Sequence, residues 1–115
     1  MLPRPAQSDR RRHDRHPFRT AAELVWPGGQ VLPARTIDLG VGGAGVVVDL
    51  NLPVGTTMTV RMNLPARPSG RAVFEAPATI VNCTLAGSDG GFRLGLQFGS
   101  LSIAAQAALK GALPA

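Results

Sequence analysis

The sequence is poor in several residue types on which common protein functions depend. It has one cysteine, Cys83, which excludes an internal disulfide and a metal site made of several cysteines. It has no tyrosine, one tryptophan and four phenylalanines, so the aromatic side chains on which single-stranded nucleic acids stack are scarce. No apolar run approaches the roughly 20 residues that a membrane-spanning helix needs, and we expect no insertion into a membrane.

Groups that perform catalysis are also scarce. The two histidines, His13 and His16, lie in an arginine-rich segment, and a metal site there would need more ligands than the neighbouring Asp14 supplies. No serine or cysteine lies in a recognisable nucleophile motif, and Asp38 is the one acidic residue inside a distinctive motif. We therefore expect no enzymatic activity, no metal and no cofactor. Residues 1–20 lack the apolar core of a signal peptide, so the expected location is cytoplasmic.

The composition is otherwise that of one small folded domain. The 115 residues are 44% hydrophobic and 17% charged, a balance that can build a core. The 14 glycines and 10 prolines are spread along the chain, as expected for many short elements joined by tight turns. We expect residues 1–9 to form a flexible tail and residues 10–113 to form the domain, with an arginine-rich arm at 10–19.

Apolar residues alternate with polar ones in segments 56–64 and 92–98, which predicts half-buried antiparallel strands there. The turn residues of 86–91 (AGSDGG), directly before the second of these segments, predict a hairpin that joins it to segment 71–85. The apolar residues that share a face are Met58, Val60, Met62 and Leu64 in the first strand and Phe92, Leu94, Leu96 and Phe98 in the second. Six or seven short strands fit in the chain, which indicates an all-β protein, either a small antiparallel barrel or a sandwich.

Two prolines interrupt apolar segments. Pro33 lies inside 30–37, which a proline confines to an edge or bulged strand. Pro77 lies inside 71–85, a segment too long for one ordinary strand, so we expect a bulge or break at this proline.

The alanine-rich segment at about 101–112 predicts a C-terminal α-helix that packs on the outside or at the mouth of the sheet. Ser100 or Ser102 is the expected N-cap, and Gly111 is the expected end of the helix. The residues expected on its inner face are Ile103, Ala107 and Lys110.

Positive charge is concentrated at one end of the chain. Of the net charge of +5, residues 1–20 contribute +4, because they hold six arginines and two aspartates. Arginine favours planar, bidentate contacts with phosphate or guanine over diffuse attraction. By itself this segment is also consistent with a solvated basic tail or with nonspecific attachment to nucleic acid or anionic lipid.

The segment 38–45 (DLGVGGAG) contains four glycines in eight residues. A strand enters it and another leaves it, so it is a connection between strands and not a phosphate loop that leads into a helix. We expect its glycines to allow positive φ and close approach of a ligand to the backbone. Asp38 can accept hydrogen bonds from N1–H and N2–H₂ of guanine. A plain turn with a leading aspartate is the alternative.

Taken together, the two segments resemble the PilZ domain family, bacterial receptors for the second messenger cyclic di-GMP. Arg11 and Arg15 match the arginine motif of that family, preceded by Arg10 and followed by His-Pro-Phe at 16–18. Asp38 and Gly43 match the ends of its Asp-x-Ser-x-x-Gly motif, and the GLQF segment at 95–98 also fits. The resemblance spans about residues 9–112 and implies a six-stranded, Greek-key-like antiparallel β-barrel with a C-terminal helix.

The resemblance implies a signalling receptor or adaptor that orders its arginine arm when cyclic di-GMP binds and then modulates an unidentified partner protein. We expect a monomer or weak dimer that does not bind DNA. The ligand-binding residues that it implies are Arg10, Arg11, Arg15, Asp38, Gly40, Gly42 and Gly43.

One position departs from the family motif. Gly40 stands where the motif has serine, so a hydroxyl that could bond the ligand is missing, at a cost of about 1 kcal/mol. Two alternatives therefore stay open. One is a PilZ-like interaction domain that has lost nucleotide binding, and the other is a basic-armed barrel that binds nucleic acid.

Overall fold

Short strands dominate the fold, which is seen in a computed structural model that describes residues 15–114. The strands are β1 (Arg15–Pro17), β2 (Ala21–Val25), β3 (Val31–Gly40), β4 (Gly43–Val48), β5 (Thr57–Pro65), β6 (Arg71–Leu85) and β7 (Phe92–Phe98). A 3-10 turn at Gly87–Asp89 joins β6 to β7, as the hairpin prediction required, and one helix, α1 (Ile103–Ala112), follows β7. No helix in this part of the chain is long and apolar enough to cross a membrane.

Six of the strands close into an antiparallel barrel. Around the barrel the order is β3, β2, β5, β6, β7 and β4, and β4 pairs again with β3. The connection from β4 to β5 crosses one end of the barrel, because these two strands are not neighbours. The predicted all-β barrel with a C-terminal helix is therefore confirmed. β1 is an addition that pairs with the end of β3 beyond β2.

The barrel interior is filled by the alternating apolar residues. In β5, Met58 and Met62 are 4% and 3% exposed and Val60 and Leu64 are fully buried, as predicted. In β7, Leu94 and Leu96 are fully buried, while Phe98 lies at the rim with its ring 5.2 Å from that of Phe74. Burial of each such large side chain stabilises the fold by about 1.5–3 kcal/mol.

The two prolines behave differently. Pro33 pairs with Glu23 of β2, and the pairing of β3 with β4 begins only at Arg35. Pro33 therefore lies where β3 has a single neighbour among residues 15–114, and β3 is bulged further on, between Thr36 and Asp38, so the predicted edge or bulged strand is confirmed.

The predicted interruption at Pro77 is wrong, because β6 runs through it as one 15-residue strand. The carbonyl of Pro77 accepts a hydrogen bond from the amide of Gly99, beyond the end of β7. The N and C=O groups of a strand residue face the same neighbour. The nitrogen of Pro77 therefore faces Gly99, which lies beyond the end of β7, so no residue of β7 needs an N–H donor at this position. The register shift of β6 occurs instead between Ile80 and Asn82.

The helix prediction is correct in its position but wrong in two details. Ser102 caps α1, since its Oγ accepts a hydrogen bond of 3.0 Å from the amide of Ala105. The helix continues through Gly111, so this glycine does not end it. The inner-face prediction is also wrong, because Ile103 is 85% exposed and Ala107 and Lys110 are exposed. The residues that pack against the barrel are Ala105, Ala108 and Leu109. In a helix this rich in alanine, several faces are equally apolar and the sequence does not distinguish them.

Candidate ligand-binding site

The short strand β1 fixes the C-terminal end of the arginine-rich segment to the barrel. Arg15 pairs with Gly40. Between β1 and β2 the backbone does not form regular strand pairing with β3. The buried hydroxyl of Thr36 in β3 instead makes hydrogen bonds to the backbone there. Its Oγ1 accepts from the amide of Thr20 at 2.9 Å and donates to the carbonyl of Phe18 at 2.7 Å. Thr36 is 1% exposed, so this anchor is shielded from water.

Arg15 and Asp38 form an ion pair on the outer surface of the barrel. Nη1 of Arg15 lies 3.3 Å from Oδ1 of Asp38, and the two side chains are 22% and 34% exposed. The same carboxylate oxygen accepts a hydrogen bond of 2.7 Å from the amide of Gly45. Within residues 15–114, Oδ2 of Asp38 has no hydrogen-bond partner, and Arg15 uses only Nη1. The pair therefore keeps one acceptor and several donors for a ligand.

Two glycines of β4, Gly43 and Gly45, allow close packing. A Cβ on Gly43 would lie 2.1 Å from the carbonyl oxygen of Leu96 in β7 and 3.0 Å from Nη2 of Arg15. A Cβ on Gly45 would lie 3.0 Å from both carboxylate oxygens of Asp38. Only glycine lets β4 approach β7 and the Asp38 side chain this closely.

Although the glycines of segment 38–45 can take positive φ, none of them does so. The positive-φ glycines of the described chain all lie elsewhere, for example in the turns at 28–29 and 90–91. Gly42 has open space around its Cα, so close packing does not require glycine there.

A small pocket lies beside the ion pair. It encloses about 160 Å³ and is lined by Arg15, Gly40, Val41, Gly42, Gly43, Val81 and Gln97. Small-molecule pockets usually enclose about 300–1,000 Å³, so this pocket holds only part of a dinucleotide. Val41 and Val81 are 62% and 38% exposed and give it apolar walls.

The structure brings together five of the seven residues that the sequence indicated: Arg15, Asp38, Gly40, Gly42 and Gly43. The other two, Arg10 and Arg11, lie outside the described residues.

Sequence reasoning missed the contributions of Thr36, Gly45, Val81 and Gln97 to this site. For Gln97 a signal existed, because the alternation in β7 places it on the outer face. The other three depend on which residues face one another across strands, and no local pattern specifies this register.

The fold is a small antiparallel barrel whose outer face carries an arginine, an aspartate and a glycine-rich turn beside a pocket. Residues 9–113 match the PilZ domain family, and the chain belongs to that family. Domains of this family are receptors or adaptors.

Solved structures agree on the fold. The inhibitor of motility MotI/DgrA from Bacillus subtilis superimposes with a TM-score of 0.70 at 15% identity, over 84% of this chain and 46% of that chain. The chain thus spans about half the length of MotI/DgrA. The PilZ domain of YcgR from Escherichia coli, a structure with c-di-GMP, gives a TM-score of 0.57 at 17% identity, over 80% of this chain and 76% of that chain. A search of curated proteins found no match.

Proposed function

We propose that this chain is a signalling receptor or adaptor that binds cyclic di-GMP at the pocket beside Arg15 and Asp38. The observation that carries the proposal is the Arg15–Asp38 pair, held on two strands beside a glycine-rich turn. Family membership and the c-di-GMP in the YcgR structure support it.

The chemistry of the pair suits this ligand. Cyclic di-GMP carries two phosphodiester charges and two guanines. The Asp38 carboxylate accepts hydrogen bonds, and guanine offers N1–H and N2–H₂ as adjacent donors. The free guanidinium nitrogens of Arg15 can bind phosphate, or O6 and N7 of guanine, with charge-assisted hydrogen bonds. A carboxylate repels a simple polyanion, so this pair favours a ligand that carries both an anionic group and a hydrogen-bond donor edge.

The size of the pocket indicates that residues beyond it complete the site. Arg10 and Arg11 lie five and four residues before Arg15, the first residue of β1, and supply the charge to neutralise both phosphates. Residues 15–17 of the arm 10–19 are already paired with β3 as β1, so in this proposal the ligand fixes residues 10–14 over the pocket, and the changed surface then modulates a partner protein. Ordering of a segment by a ligand is a well-documented kind of switch.

Titration calorimetry with cyclic di-GMP tests the proposal. The wild-type chain should release or absorb heat at micromolar ligand, and Arg11→Ala, Arg15→Ala and Asp38→Ala should each weaken binding. A folded wild-type chain that gives no heat would overturn the proposal. Binding of any polyanion with a steep dependence on salt would favour the nucleic-acid alternative.

The second candidate is an interaction domain that has lost nucleotide binding, and Gly40 at the serine position of the motif favours it. The variant Gly40→Ser distinguishes the two candidates. If cyclic di-GMP binds only to this variant, the second candidate is correct. If the wild-type chain binds as well, the receptor proposal stands.

A further inference from the structure

Four residues on the outer face of the barrel form one row across four strands. Asp38 of β3 faces Gly45 of β4, Gly45 faces Gly95 of β7, and Gly95 faces Asn82 of β6. The row thus has a polar side chain at each end and two glycines between them. It runs next to the pocket, because Gly43 and Gln97 are the following outer-face residues of β4 and β7.

The two ends of the row are built in the same way. β3 has one extra residue opposite β4 between Thr36 and Asp38, and β6 has one extra residue opposite β7 between Ile80 and Asn82. Such β-bulges aim side chains and are frequent beside functional sites.

Both bulges direct a polar side chain over a glycine. A Cβ on Gly45 would lie 3.0 Å from the carboxylate oxygens of Asp38. A Cβ on Gly95 would lie 2.6 Å from Nδ2 and 2.9 Å from Oδ1 of Asn82. Since facing residues of antiparallel strands are about 5 Å apart, the carboxylate and the amide lie side by side at about that separation.

The side-chain amide of Asn82 is not used to stabilise the described part of the fold. Its side chain is exposed and makes no hydrogen bond with any residue in 15–114. Its neighbour in the bulge, Val81, lines the pocket. An amide offers both donors and an acceptor, so Asn82 can complement a carboxylate, which only accepts.

From this arrangement we infer that Asn82 is a second base-recognition residue, which donates from Nδ2 to O6 of the guanine bound by Asp38. The inference rests on the proposed binding of cyclic di-GMP. Guanine presents O6, N1–H and N2–H₂ along one edge, in the order acceptor, donor, donor. Oδ2, the Asp38 carboxylate oxygen that has no partner within residues 15–114, has two lone pairs and can accept from both donors, and the neighbouring amide of Asn82 matches the acceptor. Adenine has the opposite groups at positions 6 and 1, so the pair selects guanine.

Calorimetry on four full-length proteins tests the inference: the wild type, Asn82→Ala, Asn82→Asp and the control Asn63→Ala. Asn63 is also an exposed strand asparagine, but it lies on β5, outside the row that contains Asp38 and Asn82. Loss of one neutral hydrogen bond should weaken cyclic di-GMP binding about two- to tenfold in Asn82→Ala. Asn82→Asp should lose more, because it places a second carboxylate beside O6 and Asp38. Asn63→Ala should match the wild type.

A second ligand assigns the contact to O6. Cyclic di-inosine monophosphate keeps O6 and N1–H but lacks the N2 amino group. Asn82→Ala should therefore weaken the binding of both ligands by the same factor and leave their affinity ratio unchanged. The midpoint temperature of thermal unfolding should be the same for Asn82→Ala and Asn63→Ala. If Asn82 had a structural role, the midpoint of Asn82→Ala would be lower.

Three results would overturn the inference. If Asn82→Ala binds like the wild type and Asn63→Ala, Asn82 takes no part and the proposed function is untouched. If Asn82→Ala loses affinity only for cyclic di-GMP, the amide contacts N2 and not O6. If the wild type binds neither ligand, the proposed function fails together with this inference.

Discussion

The inner and outer faces of β3, β4 and β7 differ sharply in the side chains that they carry, although both faces are formed by the same three strands. On the inner face, the side chains behind the site are fully buried: Leu39, Ala44, Val46, Leu94 and Leu96. On the outer face the corresponding positions carry polar side chains or none: Asp38, Gly43, Gly45, Gly95 and Gln97. Because successive strand residues point to opposite sides, one stretch of chain performs both tasks.

This difference between the two faces shows how the barrel can carry a ligand-binding site and stay stable. Each glycine in a strand costs the fold about 0.5–1 kcal/mol in backbone entropy, a loss that the outer face carries because an added Cβ does not fit at positions such as Gly43. Each large apolar residue on the inner face contributes about 1.5–3 kcal/mol, which offsets that loss. Stability and binding are therefore expected to respond to substitutions on different faces.

The largest effect should come from the inner face. Leu96→Ala removes a fully buried side chain and should lower the free energy of unfolding by about 2–5 kcal/mol, measured by urea denaturation. Under conditions where the variant stays folded, its affinity for cyclic di-GMP should equal that of the wild type. A large loss of affinity in the folded variant would contradict the separation of the two faces.

Substitution of the outer-face cation should act on binding. Arg15→Ala removes a charge-assisted contact that is worth about 1.5–3 kcal/mol, so the affinity for cyclic di-GMP should fall about 10- to 100-fold by calorimetry.

Arg61→Ala is the matched control for Arg15→Ala. Arg61 also forms ion pairs on the barrel surface, 2.6 Å from Glu23 and 3.5 Å from Glu75, and the hydrogen bonds that it donates to the Glu23 carboxylate raise its pKa. It does not line the pocket, so its loss should leave affinity unchanged. Equal losses in both variants would indicate a general charge effect instead of a contact at Arg15.

The glycines of the turn should differ from one another. Gly43→Ala forces a Cβ against the Leu96 carbonyl, so β4 must shift away from β7, at a cost of about 1–3 kcal/mol in unfolding free energy. Gly42→Ala meets nothing within 4 Å and should change stability little. Chemical denaturation of the two variants side by side checks this, and equal stabilities would contradict the close packing at Gly43.

The smallest expected effect is a gain. Gly40→Ser restores the hydroxyl of the family motif, and one added neutral hydrogen bond should tighten cyclic di-GMP binding by about 1 kcal/mol, or roughly fivefold. Calorimetry on this variant should show the gain without a change in stoichiometry. Unchanged or weaker binding would mean that position 40 does not contact the ligand.

Much of the inner face was predictable from the sequence and much of the outer face was not. The alternation in β5 and β7 identified their buried residues, since burial follows a period of two. Asp38 and Gly43 were found through their motif. Pro77 misled the strand prediction, because its effect depends on where the neighbouring strand ends.

Long-range register explains what the sequence did not reveal about the site. The bulge at Val81 and the position of Asn82 opposite Gly95 depend on how β6 pairs with β7. The role of Gly45 depends on its position opposite Asp38. Neither relation leaves a periodic signal in the segment that contains the residue, so only the assembled barrel reveals it.

The central claim is that cyclic di-GMP binds on the outer face beside Asp38, and glycine amides in an ¹⁵N–¹H correlation spectrum test it most directly. Titration should shift the amides of Gly40, Gly42, Gly43, Gly45 and Gly95. The amides of Gly28 and Gly29 should not move, because their turn precedes Val31, and Asp38 lies seven residues, or about 23 Å, further along β3. Shifts confined to Gly28 and Gly29, or no shifts at saturating ligand, would contradict the claim.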